Sequence, residues 1–379
     1  MHPEEAGRLR AVTIGATLPT SGALSAFGTS LELGYRQAIE ELSARHGLAV
    51  RLLVSDNRSE PGLASQQARD LIAVEGAVAL LGGATPPLSI PISVVAEQLE
   101  VPVVLTVTPI RAWLGATDRG WAWAWDIFFD ELQMTRTQFL ASNLVLTNRR
   151  VALFTDFEED GVVMGALWEE TASDFGYEIV YHAEFPVGLG AFADQVAEAR
   201  AADADVVIAQ VMAPDGRALL EAMRDCDYSP KLVFLEKAGN TGAWPRLTGG
   251  LGEGTLAANW FAEGIGTLRE AEFVDRYRDR FGGVDSNLGE VVLGYTAAAV
   301  LLDAIECAGS TEPAAINAAI AATSGEYPAG WVEFDAAHAS AQPAVMTQWQ
   351  GTDMVLVMHA DGSPGPCEIR LSTLGGALA

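Results

Sequence analysis

Short apolar runs alternate with amphipathic segments along the first third of the chain. The runs have the length of buried strands and occupy residues 10–17, 50–55, 78–81 and 103–105. Between the first two runs, Leu31, Tyr35 and Leu42 recur at the spacing of one helix face. Parallel strands need a long crossover between them, usually a helix. The alternation therefore predicts a parallel sheet with helices on both of its faces.

The same pattern restarts near residue 130. Strand-like runs at 150–155, 178–183, 206–210 and 232–236 alternate with segments of helical character. The 379 residues are enough for two domains of ordinary size. We expect an α/β protein with two lobes of similar architecture. Two late strands, at 330–334 and 344–350, are compatible with either lobe.

Composition and motifs exclude several classes of function. The chain has 23 basic and 50 acidic residues, a net charge of -27, and such a field repels a polyphosphate backbone. It contains no Gly-x-Gly-x-x-Gly at the first strand–helix turn, no phosphate loop, no Gly-x-Ser-x-Gly elbow and no histidine-rich metal spacing. We therefore expect neither an enzyme nor a bound cofactor, metal ion or nucleic acid.

Two further features concern the chain's compartment and its relation to a membrane. The apolar segment Val291 to Ile305 is too short to span a bilayer, and we expect it to form a buried helix. Residues 1–10 lack an apolar signal core, so we expect that any export signal has been removed. Cys226, Cys307 and Cys367 show no metal spacing, and a disulfide between two of them stays open.

The loops that follow the strands indicate where a ligand would bind. In open α/β sheets, ligands bind at the carboxyl ends of the strands. The corresponding loops are rich in hydroxyl and charged residues, and they comprise residues 20–22, 83–85, 106–108, 156–161, 210–212 and 236–237.

Several motifs stand in an order that resembles a known family. In the first half they are Ile14 to Gly22, with its Pro-x-Ser-Gly loop, Val54 to Asn57, Leu80 to Thr85 and Val101 to Val104. Phe154-Thr155-Asp156 and Asp203 to Val206 follow in the second half. This order resembles the branched-chain amino-acid-binding (leucine/isoleucine/valine-binding) type of periplasmic ABC-transporter solute-binding protein, over about residues 10 to 350.

The resemblance implies a type I periplasmic-binding fold, with two Rossmann-like lobes, parallel sheets flanked by helices, and three crossovers between the lobes. Lobe one would hold residues 9–126 and 256–334, lobe two would hold 127–255 and 335–379, and residues 1–8 would be a leader. The implied function is an extracytoplasmic receptor that captures an amino acid or amino-acid-like molecule in an interlobe cleft by hinge closure. Its partner would be a membrane permease, and the receptor would be a monomer. The alternative is a binder of an aromatic acid or amide-type solute, for transport or sensing.

For lobe one, the resemblance implies that hydroxyls and backbone N–H groups hold the carboxylate of the ligand. The candidates are Ser21, Ala84, Thr85, Thr106 and Thr108. Thr85 is alternatively a helix cap, and Thr106 alternatively only ends a strand. The chain departs from the family at residues 86–87, because two prolines have no N–H to donate.

For lobe two, Glu236 aligns with the acid that binds the ligand's ammonium in the family. The alternative for Glu236 is a salt bridge with a base such as Lys237. Asp160 stands where relatives often have a tyrosine, and it either pairs with a cationic ligand group or caps a helix.

Three candidates remain. Met212 and Phe27 also replace frequent tyrosines, and they either line an apolar pocket or belong to the core. Arg111 either binds a carboxylate or forms a salt bridge.

Overall fold

The computed structural model describes residues 10–265, 269–281 and 288–374. From residue 10 to 130 the elements are β1 (Arg10–Leu18), α1 (Ser25–Leu42), β2 (Leu48–Asp56), α2 (Pro61–Ala73), β3 (Ala79–Gly83), α3 (Pro86–Leu99), β4 (Val103–Thr106), α4 (Ile110–Leu114) and β5 (Ala124–Phe128). From 131 to 265 they are α5 (Glu131–Ser142), β6 (Arg150–Asp156), α6 (Glu159–Ala172), β7 (Glu178–Phe185), α7 (Ala193–Ala201), β8 (Val206–Val211), α8 (Ala213–Asp225), β9 (Leu232–Lys237), α9 (Trp244–Thr248) and β10 (Leu256–Asn259). The last are α10 (Glu270–Phe281), α11 (Leu288–Ala308), α12 (Pro313–Ala321), β11 (Ser324–Tyr327), β12 (Gly330–Glu333), β13 (Ala339–Ala341), β14 (Val345–Gln350) and β15 (Asp353–Met358).

The described chain folds into two compact units. The first holds residues 10–130, 269–273 and 288–342, and the second holds residues 131–265, 274–281 and 343–374. Each unit has a sheet of its own with helices packed against it. The α/β class with two parallel-sheet lobes, predicted from the alternation of elements, is confirmed.

The sheet of the first unit has six strands in the order β13-β5-β4-β3-β1-β2, and every neighbouring pair runs parallel. The order reverses its direction between β1 and β3, because β2 lies on one side of β1 and β3 on the other. The carboxyl ends of these two strands therefore flank a topological switch point.

The second unit repeats this arrangement in a seven-stranded sheet with the order β15-β14-β10-β9-β8-β6-β7. The strands from β7 to β10 are parallel, whereas β14 and β15 are antiparallel additions at one edge. The corresponding switch point lies between β6 and β8. It brings together the loops that follow these strands.

The units differ from the expected lobe boundaries in four segments: residues 127–130 and 335–342 belong to the first unit, and residues 256–265 and 274–281 belong to the second. Strand β10 belongs to the second sheet, where Leu256 pairs with Phe234 and Gln348, although lobe one was expected to start again at residue 256. Strand β13 pairs with β5 in the first sheet, although residues from 335 onward were expected in lobe two. Among the described strands, β12, near residue 330, pairs with β11 alone in a two-stranded hairpin. These assignments depend on hydrogen-bond partners remote in sequence, and no local pattern encodes them.

Helix α11 contains the apolar segment noted above. It is the one helix in the described part of the chain with the length and apolar composition of a membrane span, but 78% of its apolar window is buried inside the protein. The helix packs along α1, and its Tyr295 hydroxyl donates to Glu41 Oε2 at 2.9 Å. It therefore forms part of the core, as expected from the sequence. All three cysteines are free thiols.

Candidate functional site

The loop from β3 to α3 is held in a strained backbone conformation. Gly83, Ala84 and Thr85 have φ values of 141°, 80° and 87°, and the facing Val107 has a φ of 56°. A Cβ at Gly83 would lie 2.0 Å from the Thr106 carbonyl oxygen. Ala84 N and Thr85 N donate to the carbonyls of Thr106 and Val107 at 3.2 and 2.9 Å. Such backbone strain is concentrated at functional sites, where the surrounding structure over-determines it.

The threonine hydroxyls of this region are mostly engaged within the first unit. Thr106 Oγ1 donates to Ile127 O at 2.8 Å, which ties the end of β4 to β5. Thr108 is fully buried, and its Oγ1 shares a 2.5 Å hydrogen bond with Ser89 Oγ on α3. Thr85 precedes α3 as its N-cap residue, but its side chain makes no capping hydrogen bond. Thr85 is therefore the threonine of this loop whose hydroxyl these contacts leave available to a ligand.

The first turn of α3 offers no backbone donor to an anion. Pro86 and Pro87 have no N–H, and the N–H groups of Leu88 and Ser89 both donate to Thr85 O, at 3.2 and 3.0 Å. Helix N-termini ordinarily bind anions through such N–H groups. A carboxylate at this edge of the sheet must therefore be held by side-chain hydroxyls or by other loops.

Ser21, in the loop after β1, is bound to the loop after β2. Its Oγ donates to Asp56 Oδ2 at 2.6 Å and its N–H to Asp56 Oδ1 at 3.1 Å. The hydrogen bond from the Ser21 hydroxyl is the main cause that holds the pKa of Asp56 below its usual value. Ser59 Oγ accepts from Leu24 N and donates to Ser21 O, so the two loops form one polar edge.

Two further candidates, Phe27 and Arg111, lie on helices of the first unit. Phe27 lies half-buried in the first turn of α1. Arg111, on α4, forms a 2.9 Å ion pair with Asp130 Oδ1, and both side chains are partly exposed. This ion pair supports the interpretation of Arg111 as a salt-bridge residue.

In the second unit, one lysine and three carboxylates meet at the carboxyl ends of β6 and β9. Lys237 Nζ lies 3.3 Å from Asp156 Oδ2, 3.0 Å from Glu158 Oε2 and 3.1 Å from Asp160. The three acids are spaced two residues apart in the loop from β6 into α6. We call these four residues the strand-end acid cluster.

Charges in the strand-end acid cluster are strongly coupled. Burial, followed by the neighbouring Asp160 and Glu158, raises the pKa of Asp156 to about 6, although Lys237 opposes the rise. Burial disfavours the Lys237 ammonium, but the three carboxylates outweigh it and hold its pKa well above the usual value. Lys237 also has a φ of 62°, an uncommon value for a residue with a long side chain.

Strand β8 contributes a polar side chain to the same place. Gln210 is buried, and its Nε2 donates to Asp160 Oδ2 at 2.9 Å. Its Oε1 is also buried and has no hydrogen-bond partner among the described residues. Met212, two residues after Gln210, is half-buried and precedes α8 as its N-cap residue.

Glu236 lies in the interior of the second unit. Its Oε1 accepts hydrogen bonds from Ala258 N at 3.0 Å and from Gln138 Nε2, and Gln138 Oε1 in turn accepts from Trp168 Nε1. Burial raises the pKa of Glu236 to about 8, against the lowering effect of these hydrogen bonds. At neutral pH the carboxyl is therefore mostly protonated, and it makes no salt bridge with Lys237. Its ligand role stays a prediction, and neutrality at pH 7 weighs against it.

The sequence placed Asp156, Glu158 and Gln210 at the carboxyl ends of strands but did not connect them with Lys237. The signal was available in the spacing Asp-x-Glu-x-Asp at the end of a buried strand, with a lysine ending a second strand. Gln138 carried no signal, because a glutamine in the middle of a helix has no distinctive context.

Comparison with known proteins agrees with this architecture. Residues 11–353 match the family model described as periplasmic binding protein. A Leu/Ile/Val-binding protein homolog 7 from Brucella abortus is 23% identical over 374 residues, which cover 91% of both chains.

Solved structures share the fold over nearly the whole chain. The leucine-binding protein LivK from Thermotoga maritima has a TM-score of 0.83 at 23% identity, covering 91% of this chain and 97% of its own. A solute-binding protein of an ABC transporter from Rhodopseudomonas palustris, in complex with 3,4-dihydroxybenzoic acid, has a TM-score of 0.76 at 18% identity, covering 89% and 93%. With the family model matching most of the chain, this protein belongs to the periplasmic binding protein family.

Proposed function

We propose that the protein is the solute-binding receptor of an ABC importer and that it captures an amino acid or a closely related small molecule. The observation that carries the proposal is the match to a Leu/Ile/Val-binding protein homolog over 91% of both chains. The polar loops at the switch point of each sheet support it, because ligands of open α/β sheets bind there. A receptor of this kind binds and releases its solute without a chemical step.

The proposed contacts from the first unit are hydroxyls. Thr85 is the leading candidate, because its side chain does not cap α3. Ser21 and Ala84 are proposed as weaker contacts, because the Ser21 hydroxyl donates to Asp56 and the Ala84 N–H donates to the Thr106 carbonyl. Thr106 and Thr108 then act as supports. The Thr108 hydroxyl bonds to Ser89 in the helix that follows Thr85, and the Thr106 carbonyl accepts from Ala84 N while its hydroxyl ties β4 to β5.

In the second unit we propose that charge, rather than the aromatic side chains frequent in relatives, holds the solute. Asp160 lies in the strand-end acid cluster, and Met212 is half-buried beside the same switch point. Glu236, which neighbours Lys237 in the chain, is proposed as a weaker ammonium contact, because its Oε1 already accepts hydrogen bonds from Ala258 and Gln138. Phe27 and Arg111 are proposed as secondary contacts only.

An extracytoplasmic location and a membrane permease as partner follow from this proposal, as does a monomeric receptor. The cleft and the hinge closure that the resemblance implies stay predictions. A spin-label or small-angle scattering experiment with and without solute measures the closure directly.

A ligand screen tests the function. Protein purified without refolding is titrated calorimetrically with leucine, isoleucine, glutamate, arginine, ornithine, putrescine and 4-hydroxybenzoate. We expect saturable binding of one amino acid or its close analogue, with the solute recovered unchanged in mass. Saturable binding of 4-hydroxybenzoate alone contradicts the amino-acid proposal and supports the aromatic-acid alternative. Chemical conversion of the bound solute would contradict the proposal that the receptor binds and releases its solute unchanged.

A further inference from the structure

The strand-end acid cluster carries more negative than positive charge. Asp156, Glu158 and Asp160 surround a single ammonium, so full ionisation leaves two negative charges without a counterion in the cluster. Asp156 and Asp160 are 1% and 2% exposed, so water compensates them poorly. Buried charges are costly unless they are paired. The cluster is therefore electrostatically incomplete in this structure.

Among the described residues, the cluster also lacks a hydrogen-bond donor. The three protons of the Lys237 ammonium match the three carboxylates that it contacts. Gln210 is 2% exposed and directs its amide at Asp160, yet its Oε1 accepts nothing in the described part of the chain. A buried acceptor without a donor costs roughly 1–3 kcal/mol. A ligand that brings both positive charge and N–H donors would relieve both deficits.

The cluster also has an exposed border. Glu158 keeps 32% of its side-chain surface accessible, and the neighbouring Phe157 is 58% exposed. The net charge of -27 favours the approach of a cation over that of an anion, because the field of the whole protein raises the local concentration of opposite charge.

We propose that the strand-end acid cluster and Gln210 bind the cationic nitrogen of the solute, and that this solute carries a net positive charge, as a basic amino acid or a diamine does. The inference rests on the proposed receptor function and narrows its substrate class. A zwitterion such as leucine adds no net charge and leaves the excess negative charge of the cluster uncompensated. An aromatic carboxylate increases this negative charge.

Binding of matched solutes tests this inference. The intact protein is titrated with arginine, ornithine and putrescine as cations, leucine as a zwitterion and 4-hydroxybenzoate as an anion, each in 20 and 200 mM salt. We expect at least one cation to bind more than tenfold tighter than leucine. Binding should weaken in high salt, because salt screens the long-range attraction between the net charge of -27 and a cation. Two variants, Asp160→Asn and Glu158→Gln, remove one charge each.

Matched controls change the same residue types outside the cluster. Asp174→Asn lies in an exposed turn after α6, and Glu178→Gln lies at the amino end of β7. We expect the two cluster variants to lose about tenfold or more in affinity for the cation, the usual cost of a lost charge-assisted hydrogen bond. The controls should keep affinity within twofold. Glu158 is partly exposed, so we expect Glu158→Gln to fold normally. This variant still tests the cluster if a thermal melt shows that Asp160→Asn is unfolded.

Three results overturn the inference. Tighter binding of leucine than of every cation refutes the substrate class while the receptor function stands. Equal affinity of the cluster variants and the controls for the cation removes the cluster from the site. Stoichiometric Ca²⁺ binding that is lost in Asp160→Asn, with no organic cation bound, assigns the cluster to a metal ion, since the carboxylate oxygens lie within 4.8 Å of one another. Failure of every solute in the panel to bind contradicts the receptor proposal itself.

Discussion

Glu236 makes the stability of this protein depend on pH. Burial raises the pKa of its carboxyl from 4.5 in the unfolded chain to about 8 in the folded protein. Between these two pH values the folded state holds a proton that the unfolded state has released. The free energy of unfolding contributed by this group is therefore highest below pH 4.5, falls as the pH rises, and levels off above pH 8.

The substitution Glu236→Gln isolates this effect, because glutamine has the same shape and stays neutral. One unit of pKa difference corresponds to about 1.4 kcal/mol, so the 3.5 units between 4.5 and 8 correspond to roughly 5 kcal/mol. At pH 7 only the 2.5 units above 4.5 count, which gives about 3 kcal/mol. We expect the variant to match the wild type near pH 4.5 and to be more stable by these amounts at pH 7 and 9.

Denaturation in urea at pH 4.5, 7 and 9 measures the difference, followed by tryptophan fluorescence. Trp168 reports on the site, because its indole N–H donates to Gln138, which donates to Glu236. Glu178→Gln, an exposed glutamate in the same unit, is the control and should show no comparable pH-dependent gain. A stability difference that stays constant from pH 4.5 to 9 would refute the reasoning. The same variant tests the ligand role: unchanged solute affinity would remove Glu236 from the direct contacts.

Three further predictions concern the first unit. Gly83→Ala should destabilise the protein by more than about 3 kcal/mol, because the new Cβ would meet the Thr106 carbonyl in a strained backbone. The control Gly188→Ala changes a glycine that has a φ of 81° but open space around it, and it should cost only about 1 kcal/mol. Equal losses of stability in the two variants would contradict the steric argument. Thr108→Val should cost about 1–3 kcal/mol because it leaves the Ser89 hydroxyl buried without its partner, and a double-mutant cycle with Ser89→Ala should give a coupling energy clearly different from zero. Ser21→Ala should raise the pKa of Asp56, and an unchanged carboxyl titration in NMR spectra would show that this hydrogen bond is absent in solution.

The candidate site was only partly predictable. The strand-end loops followed from the parallel-sheet pattern, since every parallel strand ends at the same edge. Which side chains are free in those loops was decided by partners elsewhere. Thr108 is held by Ser89 on α3, and Ser21 is held by Asp56 after β2. Gln138 and Ala258 bind Glu236 from sequence distances of 98 and 22 residues. No local pattern specifies such contacts.

The sequence by itself determined the fold class, because the alternation of short buried strands with amphipathic helices is a local property that leaves few ways to bury the apolar faces. It also identified the two-lobed family through the order of motifs. Only the tertiary structure assigned β10 and β13 to their sheets and brought Lys237 among three carboxylates. The physical reason is range: backbone propensity and periodicity act over a few residues, whereas strand pairing and the burial of charge depend on groups that meet only after the chain has folded.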